Sequence, residues 1–237
     1  MKLEKIKYYL QAAADTVMPR LCPVCNAVLG ADEQHMCRRC LATLPLTHIE
    51  DIPFNTMEQL FAGKVRVERA AALFYYEKGS PYASILHDIK YRNMARLGVW
   101  MGHLSVDKMK HSGFFDGIDV IIPVPLHRDK QAKRGYNQAQ MIAQGIARET
   151  GATLLEAVTA VKPHSTQTKK GAYERWLNTQ GTVAATADAS LKLQDKHILL
   201  VDDVVTTGST IISCAEALSG IQGINISVFT LAMARHD

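Results

Sequence analysis

The chain has 237 residues, of which 47% are hydrophobic and 21% charged, and its net charge is +4. That length suits one α/β domain with a small extra module, and the apolar fraction is enough for a packed core. So mild a charge does not by itself imply nucleic acid. No uncharged apolar run approaches the roughly 18 residues of a membrane span, and Glu4, Lys5 and Lys7 stand where a secretion signal needs its apolar stretch. A cytoplasmic protein is expected, a reading compatible with peripheral membrane association.

Residues 2–18 carry Leu3, Ile6, Leu10, Ala13, Ala14 and Val17 at helical spacing, with Lys2, Lys5, Lys7, Gln11 and Asp15 between them. A helix docked on its own protein is expected, stopped by Pro19. Cys22-Pro-Val-Cys25 and Cys37-Arg-Arg-Cys40 follow. In a reducing compartment two C-x-x-C pairs suggest four thiolates around one Zn²⁺. This reading outranks a redox pair or free core thiols. Four thiolates leave no open position, so the metal is expected to be structural. Arg38 and Arg39 would help to keep them ionised. His35 reads as a solvated loop residue rather than a ligand, and Cys214 as a small core residue. Pro45 through Asn55 read as a linker, which divides the chain into a helix-and-finger module (1–55) and a larger domain (56–237).

The larger domain alternates strand and helix. Ala70–Tyr76 reads as a strand, and Gly79-Ser-Pro81 opens a helix containing His87-Asp-Ile-Lys90-Tyr91. Met94–Met109 is helical, Val120–Ile122 a strand ending in Pro-Val-Pro, and Asn137–Thr150 a helix with Ala139, Ile142, Ala143 and Ile146 on its buried face. Ile198–Val201 is a buried strand, and Ile224–Ala232 supplies the last one. Such alternation predicts a mostly parallel sheet covered by helices on both faces, with its site beyond the carboxyl ends of the strands.

Three polar segments belong to that end. In the first, the acidic pair Asp202-Asp203 closes the 198–201 strand, Thr206-Thr207-Gly208-Ser209-Thr210 forms a small hydroxyl-rich loop, and a helix begins there. This is how an α/β sheet builds a site for a phosphorylated sugar: a tight turn and a helix N-terminus offer N–H groups to a phosphate, Gly208 permits close approach, and paired carboxylates accept from neighbouring ribose hydroxyls. The second segment, after Ile122, reads as a basic loop (His127, Arg128, Lys130, Lys133, Arg134), with donors suited to a diphosphate. The third, Lys162–Asn178, is polar and basic and carries Tyr173 and Trp176. It reads equally as a mobile lid or as a nucleic-acid contact.

The 198–210 run resembles the phosphoribosyl-diphosphate (PRPP) motif of type I phosphoribosyltransferases. Taken with Cys22/Cys25/Cys37/Cys40, His87–Tyr91, Pro123-Val-Pro-Leu126, Arg134-Gly-Tyr-Asn-Gln138, Thr166-Gln-Thr168, Arg175 and Asn178, the chain is similar to the ComF family of competence-associated proteins. The resemblance implies a type I phosphoribosyltransferase fold fused to an N-terminal zinc finger, and a role around uptake of single-stranded DNA beside a motor of the uptake machinery. It implies PRPP binding with Mg²⁺ through Lys90, Arg128, Lys130, Arg134, Asp202, Asp203 and Thr206–Thr210, and, if there is turnover, catalysis resting on Asp202, Asp203 and Arg128. Thr206 stands where purine-salvage relatives carry an acidic residue, which disfavours hypoxanthine or guanine as the acceptor. The acceptor and the oligomeric state are not implied.

Overall fold

The structure is a computed structural model, and it describes residues 18–92, 94–161 and 182–235. The helix expected over 2–18 and the Lys162–Asn178 segment lie outside those residues, apart from Met18. In chain order the named elements are α1 (Arg38–Ala42), α2 (Thr56–Gln59), β1 (Ala70–Tyr76), α3 (Ala83–Tyr91), α4 (Ala95–Met109), β2 (Val120–Pro123), α5 (Arg128–Arg134), α6 (Gln138–Thr150), β3 (Thr153–Leu154), β4 (Val158–Ala160), β5 (Val183–Ala185), α7 (Ala189–Leu193), β6 (His197–Val205), α8 (Ser209–Leu218) and β7 (Asn225–Ala234).

Five strands form one sheet in the order β1-β7-β6-β2-β3, and every pairing in it is parallel. The remaining two, β4 and β5, make a small antiparallel ribbon. Strand β2 is followed by its neighbour on one side (β3), and β6 by its neighbour on the other (β7). The chain therefore reverses direction across the sheet between β2 and β6. At such a switch point the two outgoing connections diverge and leave a crevice beyond the strand ends. The central strands are apolar throughout, with Ile121, Ile122, Ile198, Leu199, Leu200 and Val201 fully buried, as a sheet covered by helices requires.

One strand is longer than its apolar run. Sequence reading ends the strand at Val201 and puts the acidic pair after it, but β6 continues to Val205. Asp202 pairs with Thr230 and Val205 with Met233 on β7. On the opposite side β2 stops, with Pro123 opposite Val201 and Val124 N–H donating to the Val201 carbonyl (2.8 Å) as that edge ends. The carboxylates thus lie on a stretch of β6 held by β7 alone, with its other edge facing the crevice.

Two further expectations are revised. Pro45–Asn55 is not a free linker, because Tyr75 N–H donates to Pro45 O (2.8 Å) and Thr47 N–H to Leu73 O (3.1 Å). Ile49 and Asn55 are buried. The basic segment after β2 is a helix rather than a loop: His127 caps α5 through Nδ1, and Gly135 ends it in the left-handed region.

Helices α4 and α6 touch backbone to backbone. A Cβ built on Gly102 would lie 2.1 Å from Ile142 O, and one on Gly145 would lie 2.0 Å from Val99 O. Neither carbonyl can move without breaking its own helix. Gly145→Val is therefore expected to cost about 3 kcal/mol or more by overpacking. Urea unfolding checks this, with Gly220→Ala as the control, since a Cβ at Gly220 meets nothing within 4 Å.

Candidate phosphosugar site and metal centre

At the switch point the acidic pair meets a lysine from a distant part of the chain. Lys90, near the end of α3, places Nζ 2.7 Å from Asp203 Oδ2. Burial opposes the lysine's charge, but the Asp203 and Asp202 carboxylates outweigh it and raise its pKa. Asp202 is the strained member. Burial first, then the Asp203 charge beside it, pushes its carboxyl up to about 8, against a donated bond from Asp203 N–H and the attraction of Lys90. That N–H lies 2.8 Å from Asp202 Oδ1. At neutral pH Asp202 therefore mostly keeps its proton, and the Lys90–Asp203 ion pair beside it leaves carboxyl oxygens that can accept from hydroxyl donors.

The loop beyond is short. Thr207 and Ser209 hydroxyls lie 2.8 Å apart. Gly208 is the N-cap of α8 at φ +74 and makes no side-chain cap, so the first N–H groups of α8 have no intrahelical acceptors. Its missing Cβ matters twice, because the backbone is left-handed and a Cβ would sit 2.9 Å from the buried Phe61 ring. Gly208→Ala is expected to shift the loop and lower phosphosugar affinity about tenfold by titration, with the fold retained. Phe61→Leu in the same protein should recover part of the loss.

Helix α5 supplies further cations beside Lys90. Lys130 and Arg134 are four residues apart and share a helix face. Lys130 is lowered from its usual value by burial and by the nearby charges of Arg134 and Lys90. These three cations and the acidic pair therefore form one cluster. Arg128 is exposed in the first turn of α5 and lies off the Lys130/Arg134 face. Arg134 also stacks over the Tyr91 ring (5.1 Å).

Two residues that the sequence reading used only as part of a family run turn out to position the site. Tyr136 donates its hydroxyl to Ile89 O, tying the end of α3 to the basic connection. Asn137 donates Nδ2–H to Val124 O (2.9 Å) and caps α6 through Oδ1. Both lie in the Arg134–Gln138 run, where a Tyr-Asn pair beside a glycine is the available signal.

The four finger cysteines come together, with all four Sγ atoms within 4.8 Å of one another and Cys25 and Cys37 only 3.7 Å apart. A tetrahedron with metal–sulfur bonds of about 2.3 Å has edges of about 3.8 Å. The four residues can thus hold one metal ion. Burial opposes the Cys22 thiolate, yet N–H donors from Cys37, Cys25 and Val24 bring its pKa down to about 7. Backbone donors do this work rather than the arginines, since Arg38 is turned to an ion pair with Asp32. His35 lies outside the cluster and rests against Trp100, ring centroids 5.8 Å apart. Cys214 is buried in the core, and burial pushes its thiol up.

The phosphoribosyl transferase domain family matches residues 139–237, which include β6, the hydroxyl-rich loop and α8. The DNA utilization protein YhgH of Shigella flexneri is 27% identical over 89% of both chains. Competence protein F of Haemophilus influenzae is 33% identical over 60% of this chain and 61% of its own. Competence protein ComFC of Bacillus subtilis is 30% identical over 47% and 43%. No helix among the described residues is long and apolar enough to cross a membrane. The chain is a homologue of competence proteins F and ComFC and of YhgH, with a phosphoribosyl transferase domain in its C-terminal part.

Proposed function

We propose that the protein binds PRPP at the β2/β6 switch point and acts around the uptake or use of single-stranded DNA. The observation that carries this reading is the Asp202-Asp203 pair on the open edge of β6, with Lys90 bound to Asp203 (2.7 Å) and the Thr206–Thr210 loop following. In this reading Asp202 and Asp203 accept from the ribose hydroxyls. Thr206, Thr207, Gly208, Ser209 and Thr210 hold the 5′-phosphate through hydroxyls and the first N–H groups of α8. Lys90, Lys130 and Arg134 face the diphosphate, and Arg128 adds to the field from the first turn of α5. Carboxylate and phosphate oxygens are the donors Mg²⁺ prefers, and bound there the ion would neutralise charge on the leaving diphosphate. The residues themselves supply positioning and electrostatics for loss of diphosphate from the anomeric carbon.

The donor set of the finger, four thiolates at tetrahedral spacing, suits structural Zn²⁺. We divide the chain near residue 55 into this finger with its preceding helix and the phosphoribosyltransferase-like domain. The names of the relatives, DNA utilization and competence proteins, support a DNA-linked role; to this we add, as a proposal, contact with a motor of the uptake machinery and a cytoplasmic location. A second reading keeps PRPP as a ligand without turnover, and it is favoured by Thr206, which offers no acid or base to an acceptor. Diphosphate release decides between the two. With PRPP and Mg²⁺, transfer predicts release in the presence of a nucleobase, nucleotide or single-stranded DNA. Binding without release for every acceptor would overturn the enzymatic reading.

A further inference from the structure

A second cleft, of about 580 Å³ and sharing no lining residue with the acidic pair, its loop or α5, lies where α4 and α6 cross and the finger loop at Gln34-His35 lines one side. Its size lies within the range of small-molecule sites. On α4, Arg96, Trp100 and His103 recur at spacings of four and three and so share one face, and Arg148 comes from α6. The half-buried Trp100 indole contacts His35 at 5.8 Å and 51°, too close and too tilted for a ring to lie between them. The exposed part of the half-buried indole lines the cleft.

The charges are unequally matched. The one carboxylate lining the cleft, Glu149, is taken by His103 (Nδ1 to Oε1, 2.7 Å), a contact that ties α4 to α6. Arg96 and Arg148 have no carboxylate partner among the described residues, and both are exposed. The finger loop is also held still. Arg20 donates to the carbonyls of Glu33 (2.7 Å), Gln34 (3.1 Å) and Gly30 (3.2 Å), which fixes His35 against the indole. A half-exposed indole lining a cleft with two guanidinium groups that have no carboxylate partner among the described residues is the chemistry that recognises a base joined to a phosphate.

We propose that this cleft binds one nucleotide unit, the base on Trp100 and the phosphate on Arg96 and Arg148. The site is separate from the switch-point crevice, and the proposal stands whether or not PRPP is bound there. Either a free nucleotide or a nucleotide within a single strand presents this chemistry.

Tryptophan fluorescence tests the proposal, because the chain has two tryptophans and a Trp176→Phe protein leaves Trp100 as the only reporter. That protein is titrated with AMP, GMP and dTMP, and separately with a twelve-residue oligothymidylate, at 50 and 200 mM salt. Saturable quenching by the mononucleotides supports a free-nucleotide site; quenching by the oligonucleotide alone supports a strand passing through the cleft. In either case an Arg96→Ser/Arg148→Ser variant should bind about tenfold more weakly. With the oligonucleotide, its salt dependence should be shallower by about one per arginine removed. Both arginines are exposed, so the fold should survive, and an unchanged circular dichroism spectrum checks this. Absence of quenching by every ligand, or quenching that the double substitution leaves unchanged, overturns the proposal.

Discussion

Asp202→Asn is expected to make the ligand-free protein more stable at neutral pH and a poorer binder of PRPP. The Asp202 carboxyl has its pKa pushed from 3.8 up to about 8 by burial and by Asp203. Between those values the folded protein holds a proton that the unfolded chain releases. Stability from this group is therefore fully present below about pH 4, falls as pH rises, and is lost once pH passes about 8. Asparagine has no charge to expel, so the variant should gain over wild type as pH rises through that window. A gain of about 1–2 kcal/mol at pH 8, or about 2–8 °C in melting temperature for a domain of this size, is expected. At pH 4 the two proteins should melt together. PRPP affinity should fall at least tenfold in the same variant. Stability and binding moving in opposite directions is what a site held under electrostatic strain predicts. A melting temperature at pH 8 equal to or below that of wild type would contradict the assignment of strain to Asp202.

Removing the Zn²⁺ proposed for the finger should have the second large effect. Cys22, Leu29, Met36, Cys40 and Leu44 of the finger are buried in the same cluster as Phe74 of β1. Tyr82 links the finger to α3, donating its hydroxyl to Cys40 O (3.1 Å) and meeting Thr43 Oγ1 at 2.7 Å. A strong chelator, or Cys25→Ser, is expected to release one Zn²⁺ per chain and to melt the finger before the sheet, because a structural zinc site contributes its binding energy to folding. Thiol titration reads the change directly. The loaded protein should react slowly with a thiol reagent, the chelated protein should expose four thiols, and Cys214 should react only in denaturant because it is fully buried. Four rapidly reacting thiols in the protein as purified, with no zinc by elemental analysis, would oppose the metal reading.

The legibility of this chain in its sequence followed chemistry. Ala70–Tyr76 and Val120–Pro123 are buried parallel strands and read as apolar runs. Helix α6 was legible because Ala139, Ile142, Ala143 and Ile146 recur at helical spacing and are all buried. Helix α5 buries no residue, so it had no apolar stripe to betray it, and its charges read as a loop. The extension of β6 to Val205 was hidden for the opposite reason. Asp202 and Asp203 look like the end of a strand, and only the early stop of β2 explains how an edge can carry them.

The candidate site divided in the same way. The acidic pair, the loop and the two cysteine pairs are contiguous motifs. The Lys90–Asp203 contact and the Phe61 ring under Gly208 join residues far apart in the chain, which no local spacing reports. Pro45–Asn55 carries little apolar periodicity, yet its backbone pairs with β1, and backbone hydrogen bonding leaves no mark on composition.

The central claim is that PRPP occupies the crevice between β2 and β6 and is held by the acidic pair. Calorimetric titration with PRPP and Mg²⁺ of the wild-type protein and of the Asp202→Asn/Asp203→Asn variant tests it most directly. One bound PRPP per chain for wild type, with binding weakened at least a hundredfold in a variant that remains folded, is the predicted result. No binding by wild type, or equal binding by both proteins, would contradict it.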